Sequence, residues 1–480
     1  MTTGHNFWDA SVWSLMIELT ILLVGMLTAN MLRRLIRPLR QSLIPSSVLG
    51  GFLILFANIA YEKITGAALF NKVTMETLTY HGLGLGFVAM ALRSTKREKS
   101  KESNVAVFDA GVTTVSSYLL QGILGLAITM GLYFVLGNWP VSGVLLPMGY
   151  GQGPGQAYNW GHVYETATAY APFQYGGSFG LTVAAMGFVS AGLGGVFYLQ
   201  RMKKRGEIKS IGLDADEVEN LSAETITEKG EIPLSESLDK LTVQIGLVVL
   251  TYMAAYGVMY LLSLGLDALG GFFTSTVKPL IWGFNFLIGT VMAILVRNML
   301  KDMTRRGRRQ YLNNFMLSRI SGVMFDLMVV ASIAAIDLSA FSRREFIIPL
   351  SVICVVGAVA TYWQLSFISR RIYPAYPNEA FLSLYGMLTG TASTGVILLR
   401  EIDPLFQTPA ATNLVYQQLW AIVFGFPMLL LLGFAPIGLT ADPATTNMTN
   451  AWLTLAALGA LFIVMNVILF RRDLFRRKKA

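Results

Sequence analysis

Two stretches of this chain hold the residues whose types and spacing could do chemistry. In the first, Pro140 to Gly180, Gly149, Gly151, Gly153, Pro154 and Gly155 are interleaved with Gln152, Gln156, Tyr158 and Asn159. Glycine and proline at this density break a helix and free backbone N–H groups. A half-helix beginning near Gly153, Gly155 and Gln156 would turn those amides, and the positive end of its dipole, toward an anion such as a carboxylate. The second stretch, Glu379 to Pro404, has a small and hydroxylated centre of Thr389, Gly390, Thr391, Ala392, Ser393, Thr394 and Gly395, and leaves through Arg400, Glu401 and Asp403. A sodium-sized cation takes about five or six hard oxygens. Carbonyls released by unwound helix can supply them, with Thr and Ser hydroxyls completing the shell and no costly buried charge. The competing role for the same hydroxyls is to back-bond to their own helix and serve close packing.

Charged groups inside apolar runs are the other candidates, because burial in a bilayer makes each ionisable side chain a functional suspect. Asp326 lies near the middle of its run and suits a cation ligand or a proton acceptor; Glu18 lies nearer an end and suits snorkelling or a contact between subunits. Asn285 and Gln244 suit interhelical hydrogen bonds, and Gly187, Ala191 and Gly195 share one helical face, as tight packing requires.

These residues must be positioned by membrane helices. Of 480 residues, 54% are hydrophobic, 14% are charged and 46 are glycine, and the mean hydropathy is +0.55, far outside the range of soluble domains. The formal charge of +9 comes from short Lys/Arg clusters between apolar runs, as in cytoplasmic loops beside anionic lipid, so nucleic acid is not an expected partner. Cys354 is the only cysteine, which excludes an intrachain disulfide, and His5, His81 and His162 are too scattered for a metal centre. No Ser/His, paired-Asp or HExxH arrangement lies within an apolar run, so an enzyme is not expected.

Residues 1–10 lack the basic segment and cleavage site of a signal peptide, so the run from Ser11 to Leu32 is expected to remain as an anchor. The basic clusters that follow alternate runs orient the chain by the positive-inside rule: N-terminus outside, C-terminus inside, eleven spans, and one re-entrant segment dipping from each face. The expected fold is an all-α polytopic membrane protein built from two inverted-topology repeats of about five helices, each with a re-entrant or broken-helix segment. The boundaries are 1–205 for the first repeat, with its break in 140–176; 206–240 for an acidic cytoplasmic linker; 241–440 for the second repeat, with its break in 379–404; and 441–480 for an extra helix and basic tail. Paired breaks in corresponding places point to a binding site between the repeats.

In this order the chain resembles the bacterial sodium/glutamate symporters. The likeness is carried by Ile44-Pro45-Ser46-Ser47-Val48-Leu49-Gly50-Gly51, by Gln121-Gly122, by the Gly-rich run from Gly149 to Trp160, by Phe179 through Gly187, Gly192, Gly194 and Gly195 to Arg201, and by Gly390 to Pro404. The resemblance implies a homodimer in a bacterial inner membrane that moves a small anionic substrate, an acidic amino acid, with sodium as the coupling ion in an elevator-type motion. With the chemistry above, the candidate substrate-binding residues are Gln121, Gln152, Gly153, Gly155, Gln156, Asn159, Thr389, Gly390 and Arg400, and the candidate sodium ligands are Thr391, Ser393, Thr394 and Asp326. Two positions depart from the family pattern. Gly149 to Gly155 reads Gly-Tyr-Gly-Gln-Gly-Pro-Gly where the family has Gly-Gly-His-Gly-Thr-Gly, and Gly357 stands where a glutamine would mirror Gln121. An ion channel, or a proton-coupled carboxylate transporter, is the alternative function on the same fold.

Overall fold

In hydrocarbon only helices and closed barrels pair every backbone group, and the long apolar runs of this chain fold accordingly. The computed structural model describes residues 6–93, 101–207, 239–271, 273–305, 309–404 and 407–471, which are helical with no β-strand among them. Most of the acidic linker expected at 206–240, and the basic tail after Arg471, lie outside the described residues.

The first half comprises α1 (Ala10–Leu35), α2 (Arg37–Gln41), α3 (Ser46–Thr65), α4 (Lys72–Leu92), α5 (Lys101–Leu136), a short turn leading into α6 (Leu145–Gly151), α7 (Pro154–Glu165) and α8 (Gly176–Lys204). In the second half come α9 (Lys240–Leu269), α10 (Lys278–Gly283), α11 (Asn285–Arg305), α12 (Asn314–Ala334), α13 (Arg344–Ile372), α14 (Pro377–Thr389), α15 (Ala392–Arg400), α16 (Ala410–Tyr416), α17 (Gln418–Phe434) and α18 (Thr449–Leu469). Eight helices among the described residues are long and apolar enough to span a bilayer, or ten if each of two bent pairs counts as one span. This is a multi-pass membrane protein.

The eleven spans expected from sequence differ from this count for a physical reason. The run at Leu78–Leu92 is part of α4, which is long enough but, carrying Lys72, Glu76 and His81, is less apolar than the eight. A helix that packs on α12, α11, α7 and α9 is sheltered by protein and needs no apolar coat. The span expected at Val277–Val296 is also not one straight rod, because it bends by 60° between α10 and α11.

Small residues let these helices approach closely. A Cβ at Gly82 of α4 would lie 3.1 Å from the Met324 carbonyl and the Met328 side chain of α12, and Gly51 of α3 sits against Ile333 of the same helix. Gly187 and Gly195 of α8 lie against the Thr389 carbonyl and the Leu398 side chain, as their shared face predicts. Polar side chains join helices where expected: Gln244 donates to the Tyr311 carbonyl at 2.7 Å and accepts from the Asn313 amide at 3.0 Å, and Asn285 donates to the Tyr80 carbonyl at 3.1 Å and the Tyr252 hydroxyl at 3.2 Å. Glu18 does not snorkel. It is buried and accepts a 2.9 Å hydrogen bond from the Asn71 amide, holding the start of α4 to α1. One ion pair was not legible in the sequence: Arg471, just after α18, lies 2.8 Å from the buried Asp109 carboxylate of α5.

Candidate functional site

Each of the two chemically promising stretches folds as helix, break, helix. In the first, α6 ends at Gly151 and α7 begins at Pro154, with Gly153 between them at φ +86°, ψ −178°. That backbone conformation is open essentially to glycine alone. Pro154 then starts the new helix with a preset φ and no N–H to lose. The Tyr118 hydroxyl of α5 donates to the Gly151 carbonyl at 3.0 Å and so anchors the end of α6. Gly155 packs against Leu83 of α4 and Met328 of α12, with a Cβ position only 2.8 Å and 2.9 Å from them.

The second break separates α14 from α15. Gly390, at φ −142° and ψ −103°, leaves the helical conformation, and Thr391, at φ −144° and ψ 170°, is extended. The Gln121 amide of α5 donates to the Leu388 carbonyl and to the Thr361 hydroxyl of α13, both at 2.9 Å, and pins the end of α14. Around the break the hydroxyls divide into two kinds. Thr389 donates back to the Tyr385 carbonyl at 2.7 Å, as a packing hydroxyl does, whereas Thr391 and Thr394 face each other with their oxygens 3.3 Å apart.

The two breaks touch. A Cβ at Gly153 would lie 3.2 Å from the Thr391 methyl and 3.7 Å from the Gly390 carbonyl. Helix α8 backs this junction, with Gly187 against the Thr389 carbonyl and Phe188 beside Gly390. Two helices, α7 and α15, therefore start here, and two, α6 and α14, end here. Neither Gly153 nor Thr391 caps its helix through a side chain, so the amides of Gly155 and Gln156 and of the first turn of α15 keep their donor capacity. Donor ends favour an anion and acceptor ends a cation, and the junction offers both within one protein interior.

Buried amide groups add to it. Gln156 is 1% exposed, and neither its Oε1 nor its Nε2 has a protein partner. An unpaired buried polar atom costs about 1–3 kcal/mol, so such a side chain persists where something else meets it. Asn159, further along α7, donates to the Gly283 carbonyl at 3.2 Å, beside the bend between α10 and α11, while its Oδ1 has no protein partner. Gln121 likewise keeps a buried, unpartnered Oε1.

Not every candidate belongs to this junction. Gln152, Gly153, Gly155, Gln156, Thr389, Gly390, Thr391 and Thr394 lie at the breaks or within one turn of them, and Gln121 reaches them from α5. Ser393 is exposed, and Arg400 lies exposed at the far end of α15, about 13 Å along the helix from the break. Asp326 is exposed beside Ser47. It sits two residues before Met328, the α12 side chain that does touch Gly155, and so projects from roughly the opposite side of that helix. Tyr118, Thr361 and Phe188 were not singled out in sequence. Gln121 bonds to Thr361, one turn after Gly357 on α13, while Gly357, where a glutamine would mirror Gln121, makes room for Leu146 of α6.

No family model, no curated protein and no solved structure matches this chain. Fold and site together define a class: a multi-pass helical membrane protein in which two helix breaks from different halves of the chain are in contact.

Proposed function

We propose that this protein is a secondary active transporter of the sodium/glutamate symporter kind, taking up glutamate or a related small carboxylate with sodium. The observation that carries the proposal is the contact between the breaks at Gly153 and at Gly390-Thr391. Donor and acceptor helix ends meet there beside buried, unpartnered amides, which matches what an anionic substrate and a coupling cation need at one site.

Support for two inverted repeats comes from exchanged packing partners. If α1, α3, α4 and α5 correspond to α9, α11, α12 and α13, then α1 on α3 should be mirrored by α9 on α11, and α3 on α12 by α11 on α4; all four contacts are present. The self-corresponding pairs α4–α12 and α5–α13 also pack together. Such a repeat pair carries substrate by rocking or sliding the unit that holds the breaks against the rest. With this architecture we place the N-terminus outside, the C-terminus inside and the protein as a homodimer in a bacterial inner membrane; the exposed apolar sides of α1 and α9 offer surface for lipid or for a second copy.

The test is uptake of labelled glutamate into proteoliposomes under an inward sodium gradient, an inward proton gradient, or none. Accumulation above the equilibrium level with sodium alone is the expected result. Accumulation driven by protons alone would replace the coupling ion, purely downhill flux would favour a channel, and no flux above protein-free vesicles would remove glutamate transport altogether.

A further inference from the structure

Away from the breaks, a cavity of about 290 Å³ opens where the last turns of α8 and α13 meet the first turn of α14. Its walls include Arg201 from α8 and Arg205 just after it, Arg370 from α13, and Pro377 and Asn378 from α14. We propose that this cavity binds a phosphate group, either as the headgroup of an anionic phospholipid or as a soluble phosphate.

Four features lead there. Three arginines, whose guanidinium groups match phosphate oxygens in fork geometry, line one concave space from the ends of two helices. Among the described residues that line the cavity, one carboxylate opposes them. Glu207 lies 3.8 Å from Arg205, which leaves the cavity with a positive balance. The Tyr198 hydroxyl donates to the Asn378 Oδ1 at 2.8 Å, and this fixes the side-chain amide so that its N–H₂ end remains to donate. Finally, the size is selective, because a volume near 300 Å³ is at the lower end of small-molecule sites and suits a headgroup rather than a nucleotide. Basic pockets between membrane helices at the loop side commonly take lipid headgroups. The inference is independent of the transport function, since none of these residues lies at the breaks.

The experiment uses the full chain purified in neutral detergent, with two probes: phosphatidylglycerol in mixed micelles, and inorganic phosphate. Binding is read by native mass spectrometry for the lipid and by calorimetry for phosphate. Wild type should bind at least one probe saturably, and Arg201→Gln combined with Arg370→Gln should weaken that binding by about 30-fold. The exposed Arg34→Gln should leave it unchanged. Lipid binding without phosphate binding identifies the headgroup as the natural ligand, and binding of both identifies free phosphate as sufficient. Wild type binding neither probe would overturn the proposal without any variant being needed. So would equal binding by wild type, the double variant and the charge-retaining Arg201→Lys/Arg370→Lys.

Discussion

At Gly153 the absence of a Cβ gives the two helix breaks room to meet. Its φ of +86° with extended ψ costs other residues about 1–3 kcal/mol, and a Cβ would also press on Thr391 at 3.2 Å. Gly153→Ala should therefore fold, as judged by a monodisperse elution profile, yet lose about tenfold or more in glutamate uptake rate. Wild-type uptake by this variant would mean that the junction is passive. The threonines separate in the same way. Thr389 donates its hydroxyl to the Tyr385 carbonyl, whereas the Thr391 and Thr394 hydroxyls face each other. Thr389→Val should leave the sodium dependence of uptake in place, while Thr391→Val or Thr394→Val should raise the sodium concentration needed for half-maximal uptake. Ser393→Ala, at an exposed position, should not. A shift for Thr389 and none for Thr394 would reverse these assignments. Composition could nominate this cluster, but no spacing rule says which of four neighbouring hydroxyls bonds backward, because that depends on how α14 and α15 end.

Among the elements, α5 hydrogen-bonds to both breaks: Tyr118 holds the end of α6, and Gln121 holds the end of α14. Its other end is tied to α18 through Asp109 and Arg471. Removing the Asp109 charge takes a charge-assisted hydrogen bond from the partly exposed Arg471, a loss of about 1–3 kcal/mol. Asp109→Asn should thus lower the thermal midpoint measured in detergent by several degrees without moving the sodium dependence of uptake. An unchanged midpoint would make the pair incidental. Helices and breaks were legible in the sequence because apolar runs and Gly-Pro interruptions report directly on local structure, and the small face of Gly187, Ala191 and Gly195 was legible for the same reason. The pairing of Gln121 with Thr361 and of Asp109 with Arg471 was not, because partners 240 and more residues apart in the chain leave no local pattern. Helix α4 is harder to read: hydropathy treats a helix as if lipid surrounded it, whereas this one packs on α7, α9, α11 and α12.

For the whole molecule, the central claim is that the two halves share one site, with the anion held largely by the break at Gly153 and the cation by the break at Gly390-Thr391. Binding at a shared site is reciprocal, so anything that weakens sodium must weaken a substrate whose affinity depends on sodium. The most direct measurement is glutamate affinity of the purified full chain at a series of sodium concentrations, for wild type, Gln156→Leu in the first half and Thr394→Val in the second. Glutamate binding should tighten with sodium in wild type. Thr394→Val should weaken it at low sodium with recovery at high sodium, and Gln156→Leu should weaken it at every sodium concentration. Glutamate affinity that ignores sodium in wild type, or that responds to a change in only one half of the chain, would contradict a shared site.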